Sequence, residues 1–358
     1  MSPLSPRIHR RARGLARGMC WLLLLSAVGC QTPAAPPLII AHRGASGYRP
    51  EHTLQAYELA IEMGADFIEP DVVPTKDGVL IVRHENELSS TTDVALRFPS
   101  RKTTKVIDRQ VKEGFFAEDF TLAEIKTLRA KEALKFRSHD YDGQFAIPTF
   151  AEVLVLARQK SDALGRPIGV YPELKHPTYF ASVGLHPDAL LLSDLRQAGW
   201  QQRTDPVFIQ SFEPSALRAL RSQTELRLIQ LLDEAAEQPY DFVNAGDPRT
   251  FGDLAKPAGL DDIASYADGI GVHKELLLPL GPGGKVTQAT SVLTDAHSRA
   301  LQVHAYTFRQ EVVFVPPDFD FDVVTEVGAY LSMGVDGVFC DFPDLCRQAR
   351  EAHAAAAK

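Results

Sequence analysis

Residues 67–85 read FIEPDVVPTKDGVLIVRHE: two apolar runs, Phe67–Val73 and Val79–Val82, with Thr75-Lys76-Asp77-Gly78 between them. A parallel strand pair needs a crossover of a dozen or more residues, so the second run must fold back antiparallel onto the first. Asp-Gly is a favoured two-residue hairpin loop. With Asp77-Gly78 as that loop, Lys76 opposes Val79, and counting along the ladder sets Asp71 opposite His84. Outward from this hairpin, apolar runs recur with helical patterns between them: Leu38–Ile40, Ile168–Tyr171, Val207–Gln210, Leu226–Leu231, Gly269–Val272, Gln302–Tyr306 and Val335–Cys340. Together with Phe67–Val73 they make eight, which predicts an α/β chain folded as a (β/α)8, TIM-like barrel.

More than eighty residues separate His84 from Ile168, too many for one strand-to-helix connection. An inserted subdomain over about 86–150 is therefore expected between the second and third barrel strands. Its first part, Thr91 to Gly114, reads as polar and irregular. Thr121-Leu122-Ala123-Glu124 opens a helix with a capping box, and a second helix starts near Thr149. One barrel domain is expected over 38–350, with the Ala-rich residues 351–358 as a frayed helical tail.

The first 29 residues carry Arg7, Arg10, Arg11, Arg13 and Arg17, no acidic residue, and the apolar run Trp21–Val28 ending at Gly29-Cys30. This is the pattern of an export signal, removed from the mature chain. Its apolar core is far shorter than the ~20 residues that cross a bilayer. Ala27-Val28-Gly29-Cys30 resembles the bacterial lipobox, which predicts lipidation of Cys30, a tether over 30–37, and a periplasmic or outer-membrane lipoprotein. The competing reading is ordinary cleavage with Cys30 incidental; Arg10-Arg11 fits twin-arginine export poorly. Removing the leader's five positive charges takes the formal −8 to about −13. That argues against nucleic acid or anionic headgroups as partners. Beyond Cys20 and Cys30 only Cys340 and Cys346 remain, so no disulfide framework is expected and these two are read as free or loosely coupled thiols.

The chemistry concentrates in His42-Arg43-Gly44-Ala45-Ser46-Gly47, Glu69-Pro70-Asp71, His84 and Glu173-Leu174-Lys175. Residues two apart on a strand share a face, so Glu69 and Asp71 offer two hard oxygen ligands together and Glu173 a third. No Cys/His cluster has zinc spacing, which leaves Mg²⁺ or Ca²⁺. The competing reading of the carboxylates is an ion pair with Arg43 or Lys175. His42 and His84 titrate near neutrality and suit general base and general acid. Arg43 and Lys175 suit phosphate oxygens. The set amounts to a metal-assisted phosphodiesterase.

Further segments carry a specific likeness: HRGASGYRPEHTL from His42, TKDG at Thr75, TTDV at Thr91, FTLAEIKTL from Phe120, YPELKHP at Tyr171, IQSFEP at Ile209, ADGIG at Ala267 and DGVFCDFPD at Asp336. In these motifs and their order the chain resembles the glycerophosphodiester phosphodiesterases, in particular their exported, calcium-using bacterial branch. The resemblance implies Glu69, Asp71 and Glu173 as metal ligands, His42 and His84 as the acid/base pair, and Arg43 and Lys175 as phosphate contacts. It implies glycerophosphodiesters as substrates and glycerol 3-phosphate as product, by direct water attack or through a cyclic phosphate. The chain departs from the family at Glu85 (usually Asp), Ser90 (usually Arg) and Tyr306-Thr307 (usually Trp-Thr). The reading has two rivals. A phospholipase of the same fold would need an apolar channel or loop, of which the sequence shows no obvious sign; a surface lipoprotein with a binding role would not need the catalytic set.

Overall fold

The computed structural model describes residues 1–5 and 36–356. The export signal, Cys30 and most of the tether lie outside the described residues. Residues from Pro36 onward form one compact unit.

Among the described residues thirteen strands occur in this order: β1 (Leu38–His42), β2 (Phe67–Glu69), β3 (Asp71–Pro74), β4 (Leu80–Val82), β5 (Thr103–Ile107), β6 (Gln110–Gly114), β7 (Gly169–Val170), β8 (Glu173–Leu174), β9 (Phe208–Ser211), β10 (Arg227–Leu232), β11 (Gly269–His273), β12 (Gln302–Phe308) and β13 (Gly337–Cys340). β2 and β3 are one barrel strand interrupted at Pro70, and β7 and β8 are one strand interrupted at Tyr171-Pro172. Proline has no N–H to give to the ladder, but its carbonyl still accepts: Glu173 N–H donates to Pro70 O and Gln210 N–H to Pro172 O, both at 2.9 Å. Parallel pairing runs from β1 through β2/β3, β7/β8, β9, β10, β11, β12 and β13, and β13 pairs back with β1. The eight predicted runs thus close a barrel.

Inside the barrel, alternate residues form layers. Ile40, Phe67, Tyr171, Phe208, Ile229 and Phe339 pack together as an apolar plug. Two residues further along those same strands the inward positions hold His42, Glu69, Glu173, Gln210, Leu231 and Asp341. The apolar plug therefore forms a dry floor beneath an ionisable layer at the C-terminal mouth.

The β3–β4 hairpin departs from the two-residue loop. Val72 pairs with Val82 and Pro74 with Leu80, Thr75 N–H donates to Val79 O, and Arg83 N–H donates to Asp71 O. Arg83, not His84, stands opposite Asp71. The loop has three residues, Lys76-Asp77-Gly78, with Gly78 at φ +74°, the left-handed position that closes a type I turn with a bulge. Asp77 is held in this turn by the Thr75 hydroxyl at 2.7 Å and by Leu122 N–H at 2.9 Å.

Between β4 and the helix Phe150–Leu164 the chain packs onto the barrel within the same compact unit. Its Leu88, Val94, Ile107, Phe116 and Phe120 share one apolar cluster with Val73 and Ile81 of the hairpin and with Phe180. The stretch expected to be irregular contains the β5–β6 hairpin, turning at Asp108-Arg109 with both residues at positive φ. The capping boxes at Thr121/Glu124 and Thr149/Glu152 are both formed, although the first helix is only Leu122–Ile125. The C-terminal helix, Pro343–Ala356, extends through most of the expected tail. Cys340 and Cys346 are joined by a disulfide, against the free thiols expected. The strand-to-helix turn at Asp341-Phe342 folds the two cysteines together, which a spacing of six does not reveal.

Candidate active site

Glu69, Asp71 and Glu173 bring carboxylate oxygens within 4.8 Å of one another, and all three are buried. They meet because β3 and β8 pair in register, Asp71 against Glu173, with Glu69 one pleat before Asp71. Glu69 accepts from Arg43 N–H at 2.9 Å and from Gln210 Nε2 at 3.0 Å. The buried His52 sets Asp71 through Nε2 at 2.8 Å, while its Nδ1 faces the Tyr57 hydroxyl at 2.8 Å. Burial drives the His52 pKa well below its usual value. Because the Asp71 carboxylate can only accept, Nε2 carries the proton of this contact and donates it to Asp71.

A carboxylate held out of water beside other carboxylates is harder to ionise. Burial, then Asp71 and Glu173, push Glu69 well above the carboxylate range. Burial pushes Glu173 up to about 7, against the pull of Lys175. Asp71 Oδ1 is buried without a hydrogen-bond partner. An all-oxygen cluster of this kind fits a hard divalent cation, whose charge would remove the mutual repulsion and occupy the orphaned oxygen.

His42 ends β1, and its Nδ1 meets Asp341 Oδ1 at 2.6 Å. Asp341, just past β13, is gripped on Oδ2 by Arg137 Nη2 at 2.6 Å and Arg309 Nε at 3.0 Å. Burial opposes its ionisation, yet His42, Arg309 and Arg137 hold it well below the carboxylate range. Burial and the neighbouring Arg43 lower the His42 pKa, while Asp341 pulls it up. His84 lies just beyond β4 and opens into the same cavity, with Nε2 at 3.3 Å from Lys175 Nζ. Burial first, then Arg43 and Lys175, press its pKa well below the usual value. Because β4 ends at Val82, the one-residue change in hairpin register leaves His84 at the site.

Arg43 and Lys175 also line the cavity, and both already have anionic partners. Arg43 pairs with Glu51 at 2.8 Å and lies 3.6 Å from Asp71; Lys175 Nζ is 2.9 Å from Glu173 Oε1. The ion pairs weighed from sequence are thus formed, in the same place as the candidate ligands. Sequence reading did not single out His52, Gln210, Asp341, Arg137 or Arg309. Asp341 carried a usable signal, a carboxylate ending a barrel strand. Arg137 lies between β6 and β7 and carried none. The departing Glu85 accepts from Lys112 Nζ at 2.7 Å and sits 3.6 Å from His176 Nε2, and the Tyr306 hydroxyl donates to Leu232 O at 2.8 Å.

All seven predicted site residues but the deeply set Asp71 line one cavity of about 1060 Å³ at the C-terminal mouth of the barrel. The profile of the glycerophosphoryl diester phosphodiesterase family matches residues 42–345, from the first of these histidines to beyond Asp341. The chain belongs to this family. It is similar to a glycerophosphodiester phosphodiesterase of Arabidopsis thaliana, 37% identical over 86% of this chain and 84% of that protein. A relative of the same description from Haemophilus influenzae is 31% identical over 86% and 88%. Among solved structures, an Oleispira antarctica phosphodiesterase in complex with the product sn-glycerol-3-phosphate superposes with a TM-score of 0.60 at 22% identity, covering 88% of this chain and 97% of that one. A glycerophosphodiester phosphodiesterase from Agrobacterium tumefaciens gives 0.57 at 22% identity over 87% and 99%. These two likenesses speak to the fold, which is that of the family.

Proposed function

We propose that this chain hydrolyses glycerophosphodiesters, such as glycerophosphocholine, to sn-glycerol 3-phosphate and an alcohol, with one divalent cation at Glu69, Asp71 and Glu173. The observation that carries the reading is the buried carboxylate triad sharing one cavity with the Asp341-backed His42 and with His84. The names of the relatives and the product bound to the Oleispira antarctica enzyme support the same substrate class. Three carboxylates suit Ca²⁺ ahead of Mg²⁺, which keeps more of its water. When bound, such a cation supplies positive charge to phosphate oxygens and acidifies water.

The chain's own residues supply the proton traffic. His42 takes the proton from the attacking water, and the imidazolium formed is stabilised by Asp341 2.6 Å from Nδ1. As the water oxygen bonds to phosphorus, the bond from phosphorus to the alcohol oxygen breaks. His84, which the phosphate anion brought in by the substrate favours in its protonated form, gives its proton to the leaving oxygen. Arg43 and Lys175 turn toward the non-bridging oxygens.

The exported, lipid-anchored state is part of the proposal. It rests on the leader and Cys30, and the Cys340–Cys346 disulfide suits an oxidising compartment. The enzymatic claim is tested by measuring sn-glycerol 3-phosphate released from several diesters, with and without chelator. Chelation should abolish release and Ca²⁺ or Mg²⁺ should restore it, while Glu69→Ala and Asp71→Ala should behave like the chelated parent. Full activity in excess EDTA would remove the metal, and no product from any diester would remove the activity.

A further inference from the structure

Gln210 stands among the three carboxylates and brings an oxygen that no donor meets. It is the third residue of β9 and only 1% exposed. Its backbone is in register with Glu173 on β8, which in turn pairs with Asp71 on β3. Residues paired across a parallel ladder turn the same face, so these three side chains enter the barrel as neighbours. The Gln210 N–H donates to Pro172 O at 2.9 Å, which fixes the start of the side chain.

The orientation of the amide follows from its partner. Gln210 reaches Glu69 Oε1 at 3.0 Å. A carboxylate only accepts, so the atom on that side is Nε2, and Oε1 is the atom left over. Gln210 Oε1 is buried without a hydrogen-bond partner, as is Asp71 Oδ1. Buried polar atoms are almost always paired, and an orphaned one calls for an explanation. Ionised carboxylates have no proton to offer this oxygen. A cation held between them would satisfy it.

The choice of cation follows from the type of donor. Ca²⁺ gathers about six to eight oxygens, amide carbonyls among them, whereas Mg²⁺ demands a strict octahedron and gives up its water reluctantly. A neutral amide oxygen raises the number of protein ligands without adding to the repulsion among the carboxylates. That helps an ion that sheds water easily more than one that keeps it.

We propose, on the reading that Glu69, Asp71 and Glu173 hold a divalent cation, that Gln210 gives its amide oxygen to that cation as a fourth protein ligand and makes the site select Ca²⁺ over Mg²⁺. One side chain then serves twice, with Nε2 steadying Glu69 and Oε1 entering the coordination sphere.

The test uses the full-length protein stripped of metal with chelator and dialysed. Calorimetric titration with CaCl₂ and with MgCl₂ gives the two affinities, and Tb³⁺ in place of Ca²⁺ reports the waters on the bound ion through its luminescence lifetime in H₂O and D₂O. Gln210→Leu nearly keeps the volume and loses the amide. It should weaken Ca²⁺ by about tenfold or more, a loss that even residues behind a ligand produce. Mg²⁺ should weaken by no more than about threefold, and Tb³⁺ should gain about one water. Gln210→Glu loses the donor to Glu69 but keeps an oxygen, so it should hold Ca²⁺ at least as tightly as the parent and keep the parental water count. Thermal melts in EDTA check folding, and Gln210→Glu decides the matter alone if Gln210→Leu does not fold. Equal losses of Ca²⁺ and Mg²⁺, an unchanged water count in Gln210→Leu, or a Gln210→Glu that loses Ca²⁺ about tenfold would each show that the amide only orients Glu69, and would overturn the proposal. A parent that binds neither ion sinks the underlying metal site instead.

Discussion

Asp341 shows how much of a site can rest on one side chain that touches no substrate. It orients His42 through a 2.6 Å contact and is itself fixed by Arg137, from the segment between β6 and β7, and Arg309 from the end of β12. Replacing it with Asn keeps the shape but removes the charge that stabilises the His42 imidazolium. Asp341→Asn should lower kcat by a factor of about 10² or more, with KM for the diester little changed; a kcat within threefold of the parent would show that His42 works unaided. At this scale the sequence was informative where chemistry and spacing coincide. Glu69, Asp71, Glu173, His42 and His84 could each be named from residue type at the end of an apolar run. The residues that hold them could not, because Asp341 lies 299 positions from His42 and only the closed barrel brings the two together. His52 stood in plain view, ten residues after His42, but nothing local says that its ring is aimed at Asp71.

Among the elements, the β3–β4 hairpin shows why register is harder to read than pairing. Antiparallel return was forced by the short connection, whereas the loop length depended on Gly78 adopting a left-handed conformation after Thr75 had closed a turn around Asp77. A one-residue slip reverses the face of every side chain in a strand, and here it sent Arg83 into the buried interior. The β5–β6 hairpin was hidden by its polar, exposed faces. It is tied to the barrel by His176, whose Nδ1 meets Asp108 at 2.5 Å with Glu85 on the other side. Burial opposes the imidazolium, but the hydrogen bond to Asp108 and the nearby Glu85 carboxylate raise its pKa from 6.5 to about 9. A raised pKa gives stability that is complete below about pH 6.5, declines as pH rises, and is gone above about 9. The parent should therefore exceed His176→Gln in stability by up to about 3 kcal/mol at pH 6, with the gap closing by pH 9.5. Denaturant melts across that range check it; a constant gap, or one that widens with pH, would show that His176 is not charged in the fold.

For the whole molecule, the eight-fold alternation of apolar runs and helices was legible because a barrel buries every strand on both faces, so each strand is written as a short apolar run. The interior layering was not written so plainly. Tyr171-x-Glu173, Phe208-x-Gln210 and Phe339-x-Asp341 each pass from apolar plug to polar layer along one strand direction, and only the paired registers show that these steps lie at one level. The proposed anchor concerns the chain before this barrel. Cys30→Ser should lose detergent partitioning yet keep turnover in lysate, because Leu38 starts β1 at the end of the barrel strands opposite the C-terminal mouth; equal partitioning of variant and parent would rule lipidation out. The claim at the centre of the account is the division of labour between His42 and His84 around a buried carboxylate triad, and the leaving group tests it most directly. A glycerophosphodiester of nitrophenol has a low-pKa alcohol that departs without a proton, whereas choline needs one. His42→Ala and His84→Ala should each lower choline release by roughly 10²- to 10⁴-fold, and the nitrophenyl ester should restore near-parental turnover to His84→Ala while leaving His42→Ala slow. Rescue of both variants alike, or of neither, would contradict the assignment.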